Sequence, residues 1–494
     1  MAMTFEQFEK LAKPRTIVPV YRKLNADFIT PVIAYLKIRE EGSYSFLLES
    51  VEKGQQLGRY SFIGQQPFRV VSSLDSQTVI DEFNANHIAK NNYFSLLESY
   101  LKEYQSISVE GLPKFTCGVL GFVGYDMIRS IETLPEPKQD NIGSEDAVMA
   151  FYDNLVAFDH LKNEVILIAN VFVDQDSHIP HLYRDGQRRL DQLLEKLNRS
   201  FSVELNFSAS LDQFKSNFSE SEFEEAVRQG KDHIYAGDIF QVVLSQRFEV
   251  AFSGDPFQVY RSLRTVNPSP YLYYLDFVGY QIIGSSPEPL IRAEKNNLEI
   301  IPIAGTRPRG NSSEEDNKLA DSLLHDPKEL AEHIMLVDLA RNDMGRVSRH
   351  GSVKVSDFKT IERYSHVMHI ISRVTGELKE GFTSVDAFKS AFPAGTVSGA
   401  PKIRAMEIIH ELEKQKRGIY AGAIGYFDYS GNMDMCIAIR TIIAKDNKLY
   451  LQAGAGIVAD SIPKNEYQET INKALALRMA IEKADEGIHD FIYR

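Results

Sequence analysis

Beyond residue 238 the strand-like runs come in neighbouring pairs. "YLYYLDF" (271–277) is followed at once by "YQIIGSSPEPL" (280–290), and "IYAGAIGYFDY" (419–429) by "DMCIAIRTIIA" (434–444) and "LYLQAGAGIVA" (449–459). Links this short close antiparallel hairpins, whereas parallel strands need crossovers of a dozen residues or more. The pattern predicts an α+β fold, with antiparallel sheets and helices packed on them. The N-terminal third alternates short β-rich runs, "YSFLLES" (44–50), "YSFIG" (60–64), "FTCGVLGFVGYDM" (115–127) and "EVILIANVFV" (164–173), with helical stretches at 93–105 and 183–198. At 494 residues the chain suits two or three domains or one large two-layer body. A Ser-rich, weakly periodic stretch at 201–219 reads as a join, giving regions 1–205 and 215–490. "LPEPKQDNIGSED" (134–146) reads as a surface loop, and "SESEFEEAVRQGKDHIYAG" (219–237) as a helix capped by Ser219 or Ser221.

A formal net charge of -13 sets the chain against nucleic acid and anionic membranes, which it would repel at long range. Any anionic ligand would need local Arg or Lys. Cys117 and Cys436 sit in apolar, strand-like runs and read as buried thiols, too few for a disulfide framework or a thiolate zinc site. The opening "MAMTFEQFEKLAK" has acidic residues and no continuous apolar core, so it reads as neither a signal nor a transit peptide. No apolar run is long enough to span a bilayer, and a reducing, cytoplasmic setting is expected.

Two helical stretches raise the functional question. "HDPKELAEHIMLVDLARND" (325–343) carries Glu329 and Glu332 one turn apart, and "PKNEYQETINKALALRMAIEKA" (463–484) repeats the arrangement with Glu466 and Glu469, with Lys473 on the same face. Local structure accounts for part of this. Asp326, Pro327 and Glu329 match an N-cap, a first-turn proline and an N3 glutamate, and Glu466 suits the positive end of its helix. Glu332 is harder to explain, because the apolar "HIMLVDLA" after it marks a helix buried in the body of the protein. A carboxylate there must be paired or bind a cation. Mg²⁺ takes one or two carboxylates and completes its octahedron with water and ligand oxygens, so two glutamates from two helices suit it; zinc would want His or Cys nearby.

Three segments are rich in glycine: "IPIAGTRPRG" (301–310), "FPAGTVSGAPKIRAMEIIHELE" (392–413) and "LQAGAGIVADS" (451–461). In the second, Ser398 and Gly399 precede a helix whose N-terminus could receive an anion. None matches a P-loop or a dinucleotide fingerprint, and each by itself is also a tight turn between strands. Together with Arg440 in a strand and Lys473 on the carboxylate helix, they suggest an anionic ligand held by metal, cations and backbone donors.

These stretches, with "YAGAIGYF" (420–427) and "AGAGIVADSIPKNEYQET" (453–470), occur in the order found in the chorismate-utilising enzymes, which the chain closely resembles from about Phe223 to Ala484. Within that family the resemblance is to the large subunits that form anthranilate. It implies an α/β sandwich of two packed antiparallel sheets with helices outside, residues 1–205 contributing strands and a feedback site and residues 215–490 the chorismate site. It implies Mg²⁺ on Glu332 and Glu469, with Glu329 and Glu466 supporting it through water. Gly305, Thr306, Thr396, Gly454, Gly456 and Lys473 would surround the ring carboxylate of chorismate, and Tyr420 and Arg440 the enolpyruvyl carboxylate. Glu288 matches the acid that protonates the departing C4 hydroxyl, and His369 the histidine associated with loss of pyruvate; Thr396 counts with them as catalytic. Read alone, Glu288 is an exposed turn residue before Pro289 and His369 a core histidine.

Two positions discriminate among the family's reactions. Aminodeoxychorismate synthases typically carry a nucleophilic lysine where this chain has Ala304, and isochorismate and salicylate synthases a lysine base where it has Gln241. With neither lysine, ammonia itself is the fitting nucleophile. The chain has no glutaminase signature, so the resemblance implies a separate glutamine amidotransferase partner in a hetero-oligomer. "LLES" (47–50) and "NPSPY" (267–271) resemble the segments of a tryptophan feedback pocket, with Glu49, Ser50, Pro268 and Tyr271 as its candidate residues. The alternatives are an aminodeoxychorismate synthase large subunit and a non-catalytic tryptophan-sensing protein.

Overall fold

The predicted hairpins form. Tyr271–Phe277 and Tyr280–Ser286 pair antiparallel, as do Ala423–Asp428 with Met433–Ile437 and Thr441–Lys445 with Lys448–Ile457. The computed structural model describes every residue except 1, 51–55, 76, 83–84, 90–91, 201–205, 364–366 and 488–494. Among the described residues the strands make two large, almost wholly antiparallel sheets of 14 and 12 strands. The central strands Gly118–Val123 and Ala147–Tyr152 are buried at every position, as expected of strands covered on both faces, so their sequences read as continuous apolar runs.

The two regions of sequence share both sheets. Ser45–Glu49 lies between Tyr60–Gln65 and Tyr271–Phe277, and Gly118–Val123 between Ala147–Tyr152 and Ala423–Asp428. One core cluster accordingly mixes Phe46 and Tyr152 with Tyr274, Ile282 and Leu449. The join is woven in as well: Phe207–Ala209 and Lys215–Ser216 both pair with the long strand Gln241–Gly254. The start of the predicted join, 201–205, and the last residues of the second region, 488–490, lie outside the described residues.

Ser219 caps the helix Glu220–Tyr235 in a capping box with Glu222, and Asp326 caps Pro327–Gly345 with proline in the first turn. Cys117 and Cys436 are buried. The helix Pro327–Gly345 departs from expectation: it packs on Ile303–Pro308, Val367–Glu377 and the helix Ser384–Ala391 but leaves part of its surface to solvent. His333, Leu336, Val337, Ala340 and Met344 are buried, while Ala331, Asp338 and Arg341 face solvent and Ile334 is 41% exposed. The apolar run therefore overstates the burial, because single exposed aliphatic side chains are tolerated at a surface. Among the described residues no helix is long and apolar enough to cross a membrane.

Candidate active site

The chain changes sheets twice at one place. Tyr280–Ser286 of the larger sheet runs through Glu288 into Pro289–Glu294 of the smaller, and Met433–Ile437 returns through Arg440 to Thr441–Lys445. The crossovers are tied together: the Ile437 amide donates to the Glu288 carbonyl at 3.0 Å, the Ser285 amide to the Arg440 carbonyl at 3.1 Å, and Ser286 Oγ to the Ile437 carbonyl at 2.7 Å. Glu288 and Arg440, far apart in sequence, are thereby neighbours. Arg440 is not in a strand as the sequence suggests; its φ of 51° breaks the strand so that the chain can leave the sheet. Such left-handed backbone at a non-glycine residue costs about 1–3 kcal/mol and must be held by its surroundings. Arg440 is held by its bond to the Lys473 carbonyl.

Thr396 Oγ1 donates to Glu288 Oε2 at 3.0 Å. Burial pushes the Glu288 carboxyl above its ordinary range, and the Thr396 bond and the charges of Lys473, His369 and Arg440 only partly offset it. A small cleft opens beside this pair, bordered by Glu288 and Thr396 and otherwise mainly by apolar residues such as Ile300, Pro302, Leu336 and Ala394. Glu288 thus stands between an apolar cleft and a polar cluster. The helix Lys402–Leu412 does follow the "SGAP" segment. Gly399 and Ala400 pair with Val242 and Gln241, and Thr396, in the preceding turn Gly395–Val397, meets Glu288.

The carboxylates converge from two helices. Glu332 is half-buried and has Glu329, Glu469, Lys328 and Lys473 as charged neighbours. Burial, then Glu329, hold its carboxyl above the ordinary range. The buried Glu466 is raised likewise, first by burial, against a hydrogen bond with Ser461. Glu469 pairs with Lys473 at 2.8 Å. Glu329 does not complete a capping box; it meets Arg307 at 3.3 Å, and Arg307 also pairs with the capping Asp326 at 2.8 Å.

Lys473 Nζ donates to the Gly454 carbonyl at 3.0 Å, which brings the carboxylate helix to the glycine-rich strand Lys448–Ile457. Gly454 is opposite Ser245 and Gly456 opposite Val243. A Cβ on Gly454 would lie 2.7 Å from the Tyr420 hydroxyl and 2.9 Å from the Leu244 carbonyl; one on Gly456 would lie 2.6 Å from Gln241 Nε2. Gly454→Ala is expected to lower the thermal midpoint, at about 1–3 kcal/mol for overpacking against Tyr420; melting curves check this. Gln241 Oε1 is buried without a hydrogen-bond partner among the described residues. On the other wall, Thr306 lies opposite His369 across paired strands. His369 Nδ1 is 2.9 Å from the Gly305 carbonyl and 3.1 Å from Thr306 Oγ1. Gly305 supplies the positive φ (69°) of a bulge there, with Glu329 packed against it.

The candidate feedback residues gather at the open end of the Tyr271 hairpin, where Tyr271 lies opposite Ser286. Glu49 pairs with Leu272 in the sheet and Pro268 leads into the same strand. The Glu49 carboxylate accepts from the Tyr260 hydroxyl at 2.6 Å and Arg264 Nη2 at 2.9 Å. Tyr271 donates to Asp434 at 2.8 Å, and Ser50 Oγ is buried without a partner among the described residues. The sequence reading missed Arg307, Tyr260 and Arg264. Arg307 was visible in "GTRPRG", but only its distance in space from Glu329 gives it a task.

A family model described as chorismate binding enzyme matches residues 43–479. Anthranilate synthase component 1 of Acetivibrio thermocellus is 47% identical over 98% of this chain and 99% of its own length. The crystal structure of anthranilate synthase component I from Streptococcus pneumoniae TIGR4 superposes with a TM-score of 0.77 at 40% identity, over 92% of this chain and 99% of that one. The menaquinone-specific isochorismate synthase of Escherichia coli shares the fold, with a TM-score of 0.71 at 17% identity over 97% and 98% of the two chains. With the model spanning most of its length and relatives this similar end to end, the chain belongs to the chorismate-binding enzymes.

Proposed function

We propose that the chain is the large subunit of an anthranilate synthase, converting chorismate and ammonia into anthranilate and pyruvate. The observation that carries this reading is the absence of lysine where the sister reactions use it: Ala304 precedes Gly305, and Gln241 lies against Gly456. A neutral amide cannot deprotonate water, while its buried carbonyl oxygen can accept an N–H from ammonia. Near full-length likeness to relatives named anthranilate synthase component 1 supports it.

Arg440 and Tyr420 hold the enolpyruvyl carboxylate of chorismate, and the backbone at Gly305, Gly454 and Gly456 with Thr306 and Lys473 surrounds the ring carboxylate. Glu288, its carboxyl raised by burial and bonded by Thr396, gives its proton to the C4 hydroxyl as it leaves, while ammonia adds at C2. His369, oriented by the Gly305 carbonyl, serves the subsequent loss of pyruvate, after which the ring becomes aromatic. Much of the rate comes from fixed placement of these groups.

A divalent cation suits the carboxylates. Glu332 makes no hydrogen bond or ion pair among the described residues, yet is half-buried beside other carboxylates. Glu332 and Glu469 would hold Mg²⁺, with Glu329 and Glu466 behind water, an ion that takes one or two carboxylates and retains water and ligand oxygens. Bound there, Mg²⁺ supplies charge neutralisation and a template for the ring carboxylate.

Ammonia comes from a glutamine amidotransferase partner, consistent with the relatives' designation as component 1. Tryptophan binds at Glu49, Ser50, Pro268 and Tyr271 and inhibits. Ser50→Phe is expected to weaken tryptophan inhibition at least about tenfold by filling the pocket, with kcat intact; inhibition curves that superpose on those of the parent chain refute the assignment.

The deciding experiment incubates the purified chain with chorismate, MgCl₂ and an ammonium salt at alkaline pH and identifies products by fluorescence and mass spectrometry. Anthranilate that disappears on chelation is expected, with no hydrolysis of glutamine by the chain alone. 4-Amino-4-deoxychorismate as product, or tight tryptophan binding without turnover, overturns the reading.

A further inference from the structure

Against the strand that pairs with the glycine-rich strand lies a buried ion pair that the proposed mechanism does not use. Arg417 is 2% exposed and Glu413 4%. Arg417 donates to Glu413 Oε2 through Nε at 2.9 Å and to Oε1 through Nη2 at 2.5 Å. Its remaining hydrogen bonds go to backbone: Nη1 to the Val397 carbonyl and Nη2 to the Val243 carbonyl, both at 2.7 Å. Glu413 Oε1 accepts in addition from the Ser245 amide and hydroxyl, both at 2.8 Å. The guanidinium also lies 5.6 Å from the centre of the Tyr420 ring.

Each of these partners is one step from a substrate-facing group. Val397 ends the turn that carries Thr396, whose hydroxyl reaches Glu288. Val243 and Ser245 lie opposite Gly456 and Gly454 in the sheet. The pair also fills a gap in the ladder: along this edge backbone bonding runs as far as the Val243 amide, which donates to the Ser398 carbonyl, and resumes at the Arg247 carbonyl, which accepts from the Asn217 amide. Between them Arg417 donates to the Val243 carbonyl and Glu413 accepts from the Ser245 amide, in place of a neighbouring strand. An apolar pair of the same volume could bury the surface but could not satisfy these groups.

We propose that Arg417 and Glu413 are positioning residues for the reaction, one bidentate pair setting the Thr396 turn, the glycine strand and Tyr420 relative to one another. Arg is required, since lysine has a single nitrogen and cannot bridge a carboxylate and two carbonyls. The proposal rests on the anthranilate synthase reading, and the test separates the two. The parent chain, Arg417→Lys, Glu413→Gln, Thr396→Ala and the double variant Arg417→Lys/Thr396→Ala are assayed with chorismate and ammonium, alongside thermal midpoints.

Anthranilate from the parent chain is the precondition, and its absence defeats the reading and the clamp together. Given that activity, Arg417→Lys is expected to lower kcat about 100-fold, the scale of a small misplacement of reacting groups, in protein that remains folded at the assay temperature. The double variant is expected to be no slower than the slower single one. Wild-type kcat with a lowered thermal midpoint, or losses that multiply in the double variant, overturns the proposal. If Arg417→Lys does not fold, Glu413→Gln, which keeps an acceptor for the Ser245 amide but weakens the hold on Arg417, decides in the same assay: a kcat loss of tenfold or more supports it and an unchanged kcat overturns it.

Discussion

Glu288→Gln is expected to reduce kcat for anthranilate formation by about 10³-fold, within the range that general acids contribute, with KM for chorismate little changed. The substitution keeps the shape and the Thr396 contact but removes the proton that the C4 hydroxyl needs. The sign of the pH dependence follows from the same geometry. Burial raises the carboxyl, so it is protonated to higher pH than an ordinary glutamate, and activity falls as pH rises through its pKa. Thr396 donates to Oε2 and thereby favours the ionised form. Thr396→Val should move the alkaline limb of kcat to higher pH, measured at constant free ammonia. A limb that stays in place, or Glu288→Gln within tenfold of the parent, removes Glu288 from the role of acid.

Glu332→Gln is expected to cost about 10²–10³-fold in kcat/KM at low Mg²⁺, the equivalent of several kcal/mol of lost charge stabilisation, with partial recovery as Mg²⁺ is raised. Glu329→Gln should cost less, about tenfold, because Arg307 already engages that carboxylate. A second readout runs the opposite way. The Glu332 carboxyl is raised in the folded chain, so its stabilising contribution is present at low pH and lost as pH rises through the raised pKa. At alkaline pH without metal, the neutral amide should therefore raise the thermal midpoint while activity falls. Mg²⁺ titrations followed by activity and calorimetry test both; a variant with the parent's Mg²⁺ dependence excludes Glu332 as a ligand.

What the sequence reveals of this arrangement depends on range. The hairpins are legible because their links are two to a few residues long, and the carboxylates because three-residue spacing places them on one helix face. The pairing of Ser45–Glu49 with Tyr271–Phe277 leaves no local trace. Arg440 reads as a strand residue because its neighbours are β-branched, and nothing local announces a positive φ at an arginine. Glu288 shows the limit most plainly. "SSPEP" reads as a turn, and turn it is; only the resemblance suggests an acid there, and only the second crossover at Arg440 supplies its surroundings. Glu329 was legible as a cap partner, yet its actual partner Arg307 sits on a strand beyond an intervening helix.

The sharing of both sheets between early and late strands also governs how the chain must be made. Glu49 and Tyr260 are 211 residues apart, and the Ser45–Glu49 strand acquires its second neighbour only when Tyr271–Phe277 has been synthesised. At about 5–20 residues per second that is a wait of roughly ten to forty seconds on the ribosome. During it, the N-terminal strands present open edges that invite pairing with other chains. Splitting the gene between the two regions would make that wait permanent, so the halves should be recovered as native protein only when produced together.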